Sequence, residues 1–279
     1  MDISETDQGT DMLAPTDKRS DFVAALARGL SVIEAFSADT PEMTLSEVAA
    51  RANLSPATAR RALITLVELG YVGAVGKRFV LRPKVLGLGS AFLNSMHIRE
   101  LAQPYLQEIA DRFKDSASMA ILDGDSVMYI AHVPSKRRIR YNGSVGYRSP
   151  AYGTSLGLAL MAYREPAFID AWLAKAPFPA YTSKTIHTAD GLRDALMRVR
   201  EHGYATAEEQ LEYGVVAISV PIRDGTGRVV ASINCSSELE RNDLQTLVDS
   251  RLEPLRATAE QIEQALQRFP ALGRSLALD

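Results

Sequence analysis

"SPATARRALITLVELGYV", residues 55–72, carries a helix signal at each end. Ser55 is a good N-cap, and Pro56 sits where a first helical residue needs no intrahelical N–H partner. Gly70 is placed to stop the helix. Between them Ala59, Ala62, Leu63, Leu66 and Val67 recur at helical spacing as an apolar stripe. The opposite side shows Thr58, Arg61 and Thr65, with Arg60 on its flank.

The flanking sequence gives this helix its context. Upstream, Phe22, Leu26, Leu30 and Ile33 predict a helix with one apolar side. In "TLSEVAARA", Thr44 and Glu47 form a capping-box pattern, and Leu45, Val48, Ala49 and Ala52 supply a buried face. "NLS" is a tight connection into the helix at 56. Downstream, "YVGAVGKRFVL" reads as two short strands joined at Gly76-Lys77. Helix, helix, three-residue turn, helix and hairpin is the order of a winged helix-turn-helix, here residues 20–84. In that geometry the first helical turn, with Ser55, Ala57 and Thr58, meets base edges, and Arg60, Arg61 and Thr65 continue the reading face. Lys77 and Arg78 at the wing suit phosphate contacts. The bland alternative is a small helical bundle with a solvated face.

Composition and charge narrow the possibilities. The 279 residues suffice for two domains, and 46% hydrophobic with 23% charged residues is ordinary for a globular chain. A single cysteine, Cys235, excludes an intrachain disulfide and a cysteine-rich metal cluster. The four histidines, His97, His132, His187 and His202, lack metal-ligand spacing, so no metal or cofactor is expected. Residues 1–17 hold five acids and no bases, the reverse of a signal peptide, and no apolar run approaches membrane-spanning length. The expectation is a cytoplasmic protein with no membrane partner. Residues 18–84 have ten bases against six acids, whereas 85–279 have 21 against 23. A basic segment in a chain of net charge −3 hints at a polyanionic partner.

The rest of the chain changes character. Residues 1–19 lack periodicity and read as a disordered acidic arm. Residues 85–102 read as a linker helix, and Leu101, Tyr105 and Ile109 mark a helix from about His97, with Pro104 in its first turn. Short strands follow in "ASMAILDGDSVMYIAHVP" and "RRIRYNGSVGYR", then helices in "SLGLALMAYR" and "GLRDALMRVREHGYATA". Two strands, "GVVAISVPIR" and "VVASINCSS", flank a turn at residues 224–227, and a long helix spans roughly 241–268. Strands and helices do not alternate regularly, which predicts an α+β domain with an antiparallel sheet over 103–270 and a tail at 271–279.

With "RGLSVIEAF", the helix-turn-helix, "FVLRPKVLGLGSAFL", "GTSLGLALMAY", "GYATAEEQLEYGVVAISVPIRD" and "GRVVASINCSS", residues 20–270 resemble the IclR family of transcriptional regulators. The resemblance implies a C-terminal GAF-like effector domain with a small-molecule pocket. It also implies operator DNA as partner and a homodimer or dimer of dimers. "RRIRYNGSVGYRSPAYGTSLG" is similar to the subgroup that senses aromatic acids such as protocatechuate and 4-hydroxybenzoate, although Gly153 and Leu158 depart from its pattern. By the same block matching, Tyr141, Thr154, Ser155, Leu156, Ala217, Asn234 and Ser236 fall at pocket positions, and Glu209 at an acidic position that lines or orders the pocket. Ordinary core packing is the competing reading of Leu156 and Ala217. Asn234 and Ser236 alternate with Cys235 along a strand and so share the face opposite it.

"GTSLG", residues 153–157, also satisfies the G-x-S-x-G pattern of a serine hydrolase, with Ser155 as nucleophile and His187 or His202 as base. A nucleophile elbow needs a buried strand before it, and here "YRSPAY" precedes. Small residues at a helix start suit a carboxylate cradle better. Cys235 reads as a buried small hydrophobe.

Overall fold

The computed structural model describes residues 22–37, 39–90, 98–135, 143–268 and 276. The acidic arm at 1–19, Tyr141 and most of the tail at 271–279 lie outside these residues. The chain divides between Leu88 and Gly89 into two compact units.

The first unit contains α1 (Ala24–Glu34), β1 (Glu42–Thr44), α2 (Leu45–Arg51), α3 (Pro56–Glu68), β2 (Val72–Val75) and β3 (Arg78–Leu81). Local chemistry sets the bounds of its helices. The Thr44 hydroxyl accepts from the Glu47 backbone N–H while the Glu47 carboxylate accepts from the Thr44 N–H at 2.7 Å, a complete capping box. The Thr44 N–H and the Thr44 hydroxyl, both donating to the Glu47 carboxylate, hold its pKa below the usual value. Asn53 at φ +53° turns the chain between α2 and α3. The Ser55 hydroxyl accepts from the Thr58 N–H at 3.3 Å, and Gly70 at φ +79° follows the end of α3. Val32, Met43, Val48, Leu63, Leu66 and Val72 form the core.

Two features of this unit differ from the sequence reading. β1 pairs antiparallel with β3, making a three-stranded sheet ordered β1-β3-β2 where periodicity indicates only a hairpin. A three-residue strand is too short for alternation to register. Of the expected stripe, Phe22, which precedes α1, and Leu26 and Leu30 within it are exposed, Leu26 at 63%, and Val32 is the residue buried in the helix. Only the C-terminal end of α1 meets the small core, which leaves the apolar side of its first turns uncovered within this unit.

The second unit is built on a six-stranded antiparallel sheet in the order β6-β5-β4-β9-β8-β7. Its strands are β4 (Ser116–Asp123), β5 (Ser126–Val133), β6 (Arg148–Pro150), β7 (Ala205–Glu208), β8 (Val215–Arg223) and β9 (Val229–Glu238). One face, with Ile218, Val220, Ile233 and Cys235, shares a core with α4 (Ile98–Phe113) and α8 (Leu244–Arg268). A second core gathers α5 (Ser155–Met161), α6 (Pro166–Leu173) and α7 (Ala189–His202) with Ala120, Val127 and Tyr129 from the sheet. Sequence alternation puts Cys235 on one side and Asn234 and Ser236 on the other, as the cores require. At the edge of the first core, fully buried Asp115 accepts from Arg241 at 2.9 Å, Arg251 at 3.0 Å and the Ser237 hydroxyl at 2.9 Å. This charge network ties the start of β4 to β9 and α8.

Several element bounds move. Of "GYATA", Ala205, Thr206 and Ala207 belong to β7, because Gly203 at φ +77° terminates α7. Pro104 lies inside α4, not in a first turn. The α6 helix has no counterpart in the sequence reading. Of "RRIRYNGSVGYR", residues 137–142 lie outside the described residues and only Arg148 joins a strand, β6.

All seven residues of α5 are buried. Its seat is an unusually close backbone approach: a Cβ on Gly157 would lie 2.1 Å from the Ala151 carbonyl oxygen. Gly157→Ala is therefore expected to destabilise the second unit by about 1–3 kcal/mol, the usual cost of overpacking. Gly225→Ala, whose Cβ meets only Gln267 Cγ at 3.7 Å, is the tolerated control. Urea unfolding of the two variants beside wild type measures the difference.

Candidate functional site

Two regions collect the candidate functional side chains, one in each unit. In the first, α3 buries Ala59, Leu63 and Leu66, and turns Ala57, Arg60, Arg61, Ile64, Thr65 and Glu68 outward. Arg60 and Arg61 have no ion-pair partner among the described residues. The expected reading face thus comes out as an exposed surface, with adjustments. Thr58 is half-buried, and Thr58, Arg61 and Thr65 border an apolar groove of about 580 Å³ between α1 and α3. Ile64, 53% exposed, stands on the outward face that sequence reasoning had filled with polar residues only. Ser55 is exposed but committed as the N-cap, its hydroxyl also donating to Thr58 Oγ1 at 2.9 Å. Lys77 is exposed at the hairpin turn. Arg78 lies 3.7 Å from Glu42 and 3.9 Å from Glu47, so it fastens β3 to β1 and α2 as well as facing solvent.

In the second unit, a cavity of about 50 Å³ opens between the sheet and the start of α5. Thr154, Ser155, Ala217, Asn234 and Ser236 all line it, from a helix start and two neighbouring strands. Thr154 caps α5 by accepting from the Gly157 N–H at 2.9 Å. Ser155 accepts at 2.7 Å from the Ser219 hydroxyl, and Ser232 donates to the Leu156 carbonyl at 3.1 Å. Pairing register explains this polar seam. His132, Ser118, Asn234 and Ser219 face one another in sequence across β5, β4, β9 and β8. His132 Nδ1 is 3.0 Å from the Ser118 hydroxyl, and burial pushes its pKa down, keeping the ring neutral at neutral pH. Asn234 is 5% exposed; its Nδ2 donates to Ser236 Oγ at 2.9 Å, while its buried Oδ1 has no partner among the described residues. Leaving such an atom unpaired costs about 1–3 kcal/mol.

One expected pocket residue joins the core instead, and another orders the loop beside the cavity. Leu156 is wholly buried in the core around α5 and does not line the cavity. Glu209, at φ +51°, accepts from the Gly214 N–H at 2.7 Å and closes the β7–β8 loop, while its neighbours Gln210, Leu211 and Glu212 reach the wall. Tyr129 also lines the wall. Its place on β5 could have been found from alternation. The loop residues carried no local signal, since a hairpin brings them over the sheet.

The hydrolase arrangement does not assemble. Ser155 is bonded to Ser219, His187 Nδ1 lies 3.0 Å from the Thr185 carbonyl, and His202 Nδ1 lies 2.8 Å from that of Arg198. Burial pushes the Cys235 thiol far above its ordinary pKa, so it stays protonated. Among the described residues there is no cluster of His, Cys, Asp and Glu suited to a metal, and no helix long and apolar enough to cross a membrane.

Residues 25–76 match the IclR helix-turn-helix domain, and residues 90–264 match the bacterial transcriptional regulator IclR C-terminal domain. The chain is 40% identical over 222 residues to the Pca regulon regulatory protein of Pseudomonas putida, covering 79% of this chain and 76% of that one. It is 32% identical over 250 residues to the p-hydroxybenzoate hydroxylase transcriptional activator of Acinetobacter baylyi, covering 88% and 92%. Among solved structures, an IclR homologue of Microbacterium hydrocarbonoxydans complexed with 4-hydroxybenzoate superposes with a TM-score of 0.75 at 26% identity, covering 88% of this chain and all of that one. These relatives are regulators, not enzymes, and the chain belongs to the IclR family of bacterial transcriptional regulators.

Proposed function

We propose that this regulator binds operator DNA through α3 and the β2–β3 wing, and that a small, aromatic carboxylate held beside α5 controls it. The observation that carries the ligand half is the buried, unpartnered Oδ1 of Asn234 in a cavity also lined by Ser155 and Ser236. Turning that amide over would present Nδ2 to a carboxylate while Ser236 Oγ donates to Oδ1, so the side chain can serve either polarity. The relative bound to 4-hydroxybenzoate and the Pca regulator support an aromatic acid as the guest. Charge-assisted hydrogen bonds favour a carboxylate, and each donor removed weakens it by about 1.5–3 kcal/mol. Calorimetry with 4-hydroxybenzoate and protocatechuate should give that loss in Asn234→Ala and in Ser155→Ala, with DNA binding retained. Saturable binding unchanged in both variants would refute the site.

For DNA, exposed Arg60 and Arg61 on the outward side of α3 support direct base or phosphate contact, with Ala57, Thr58 and Thr65 beside them. Arg61→Ala is expected to weaken specific operator binding by about 1–3 kcal/mol. Lys77→Ala should instead weaken all sequences alike and lower the slope of affinity against salt. Gel-shift titrations on operator and scrambled DNA at several salt concentrations separate the two.

Oligomerisation follows from α1. Its exposed Phe22, Val23, Leu26 and Leu30 form an apolar side that a second copy of the chain would cover. The working unit on this reading is a homodimer or dimer of dimers on related half-sites. Leu26→Glu should shift sedimentation toward smaller species and reduce operator affinity; an unchanged distribution would remove α1 from the interface.

A further inference from the structure

The cavity beside Asn234 is too small for the guest proposed for it. About 50 Å³ accommodates one or two waters, at roughly 30 Å³ of liquid volume each, and not an aromatic ring with its carboxylate. One of the residues that wall it is Leu211, from the loop joining β7 to β8. Its side chain lies where a Cβ on Gly153 would be: Cδ2 is 2.2 Å and Cγ 2.8 Å from that position. Glycine at 153 is therefore what gives the leucine its seat at the start of α5. Leu211 is half-buried, with one side toward the cavity it lines.

The loop is anchored unevenly. Its first residues are pinned to the segment at 182–186. Thr185 Oγ1 donates to the Gln210 carbonyl at 2.6 Å, Gln210 Oε1 accepts from the Ile186 N–H at 2.8 Å, and Gln210 Nε2 donates to the Lys184 carbonyl at 2.8 Å. Beyond Gln210, the Tyr213 hydroxyl at the loop's far side accepts from the exposed Ser183 N–H at 3.0 Å, and the Gly214 N–H donates to Glu209 at 2.7 Å. Glu209 and Gly214, at φ +51° and +81°, bracket the tip. The leucine thus rides on the least fastened part of the loop, above a polar wall whose Asn234 Oδ1 lacks a partner.

Building on the effector reading above, we propose that Leu211, seated against Gly153, is a movable stopper that sets the size of acid the site admits. A guest enters by displacing the leucine side chain from its seat, and the bulk at position 211 decides which ring fits beneath it. The seat, the cavity and the loop all belong to the second unit, so the selection needs no other part of the chain.

Affinities for benzoate, 4-hydroxybenzoate and 2-naphthoate, measured calorimetrically on the full-length protein, test this. Leu211→Ala should raise the affinity for 2-naphthoate relative to benzoate at least tenfold and speed association of both acids in stopped-flow mixing. Leu211→Met, which keeps the volume, should retain the wild-type ratio, and its melting curve controls for folding. Acids that bind wild type and Leu211→Ala with the same relative preference would overturn the stopper while leaving the effector site intact. Failure of all three acids to bind either protein at millimolar concentration would overturn both, because a stopper requires a guest.

Discussion

The approach of Gly157 to the backbone of Ala151 governs the second unit. Because no side chain separates them, α5 sinks until all its residues are covered, and its first turn reaches the sheet. The sheet meets it with hydroxyls: Ser219 to Ser155, and Ser232 to the Leu156 carbonyl. Burying polar groups this deeply is tolerable only when they are paired. Among the described residues Trp172 Nε1, Arg251 Nε and Asn234 Oδ1 depart from that rule, and of these Asn234 Oδ1 lies where the helix start, β8 and β9 enclose a cavity. The site is therefore a consequence of seating a short helix on a polar row.

The two faces of the sheet divide the labour. Toward α4 and α8 the sheet is aliphatic, and the buried Asp115 network fixes its margin. Removing one member of such a network leaves a buried charge uncompensated, at a typical cost of about 3–5 kcal/mol, so this side is suited to staying rigid. Toward α5 the same strands present a polar row, the wall that the proposed guest would meet. Alternation along β9 serves both: Ile233 and Cys235 enter the aliphatic core while Asn234 and Ser236 line the cavity.

In the first unit the balance is different. A small core led by Val32, Met43, Val48, Leu63 and Val72 supports three helices and a short sheet, and much apolar surface on α1 stays uncovered. Arg78 shows how a nominal wing cation can have a structural role, since it sits between Glu42 and Glu47. Lys77, one residue earlier at the turn, is the better candidate for a phosphate.

Elements whose cause is local are legible in the chain before it folds. The Thr44–Glu47 capping box, the Ser55 cap, the Gly70 stop and the α3 stripe need only neighbouring residues, and each appears in the structure. The side-sharing of Asn234 and Ser236 was equally legible, because strand alternation has a fixed period. Tertiary structure alone decided what depends on distant partners. β1 exists because β3 pairs with it, and the first turns of α1 stay exposed because the unit's core is too small to reach them. Leu156 turned inward and Glu209 turned to the Gly214 amide for the same reason: which wall a residue joins is fixed by what packs against it. Leu211 reaches Gly153 across 58 positions of chain through a hairpin loop, and no pattern within either stretch announces the contact.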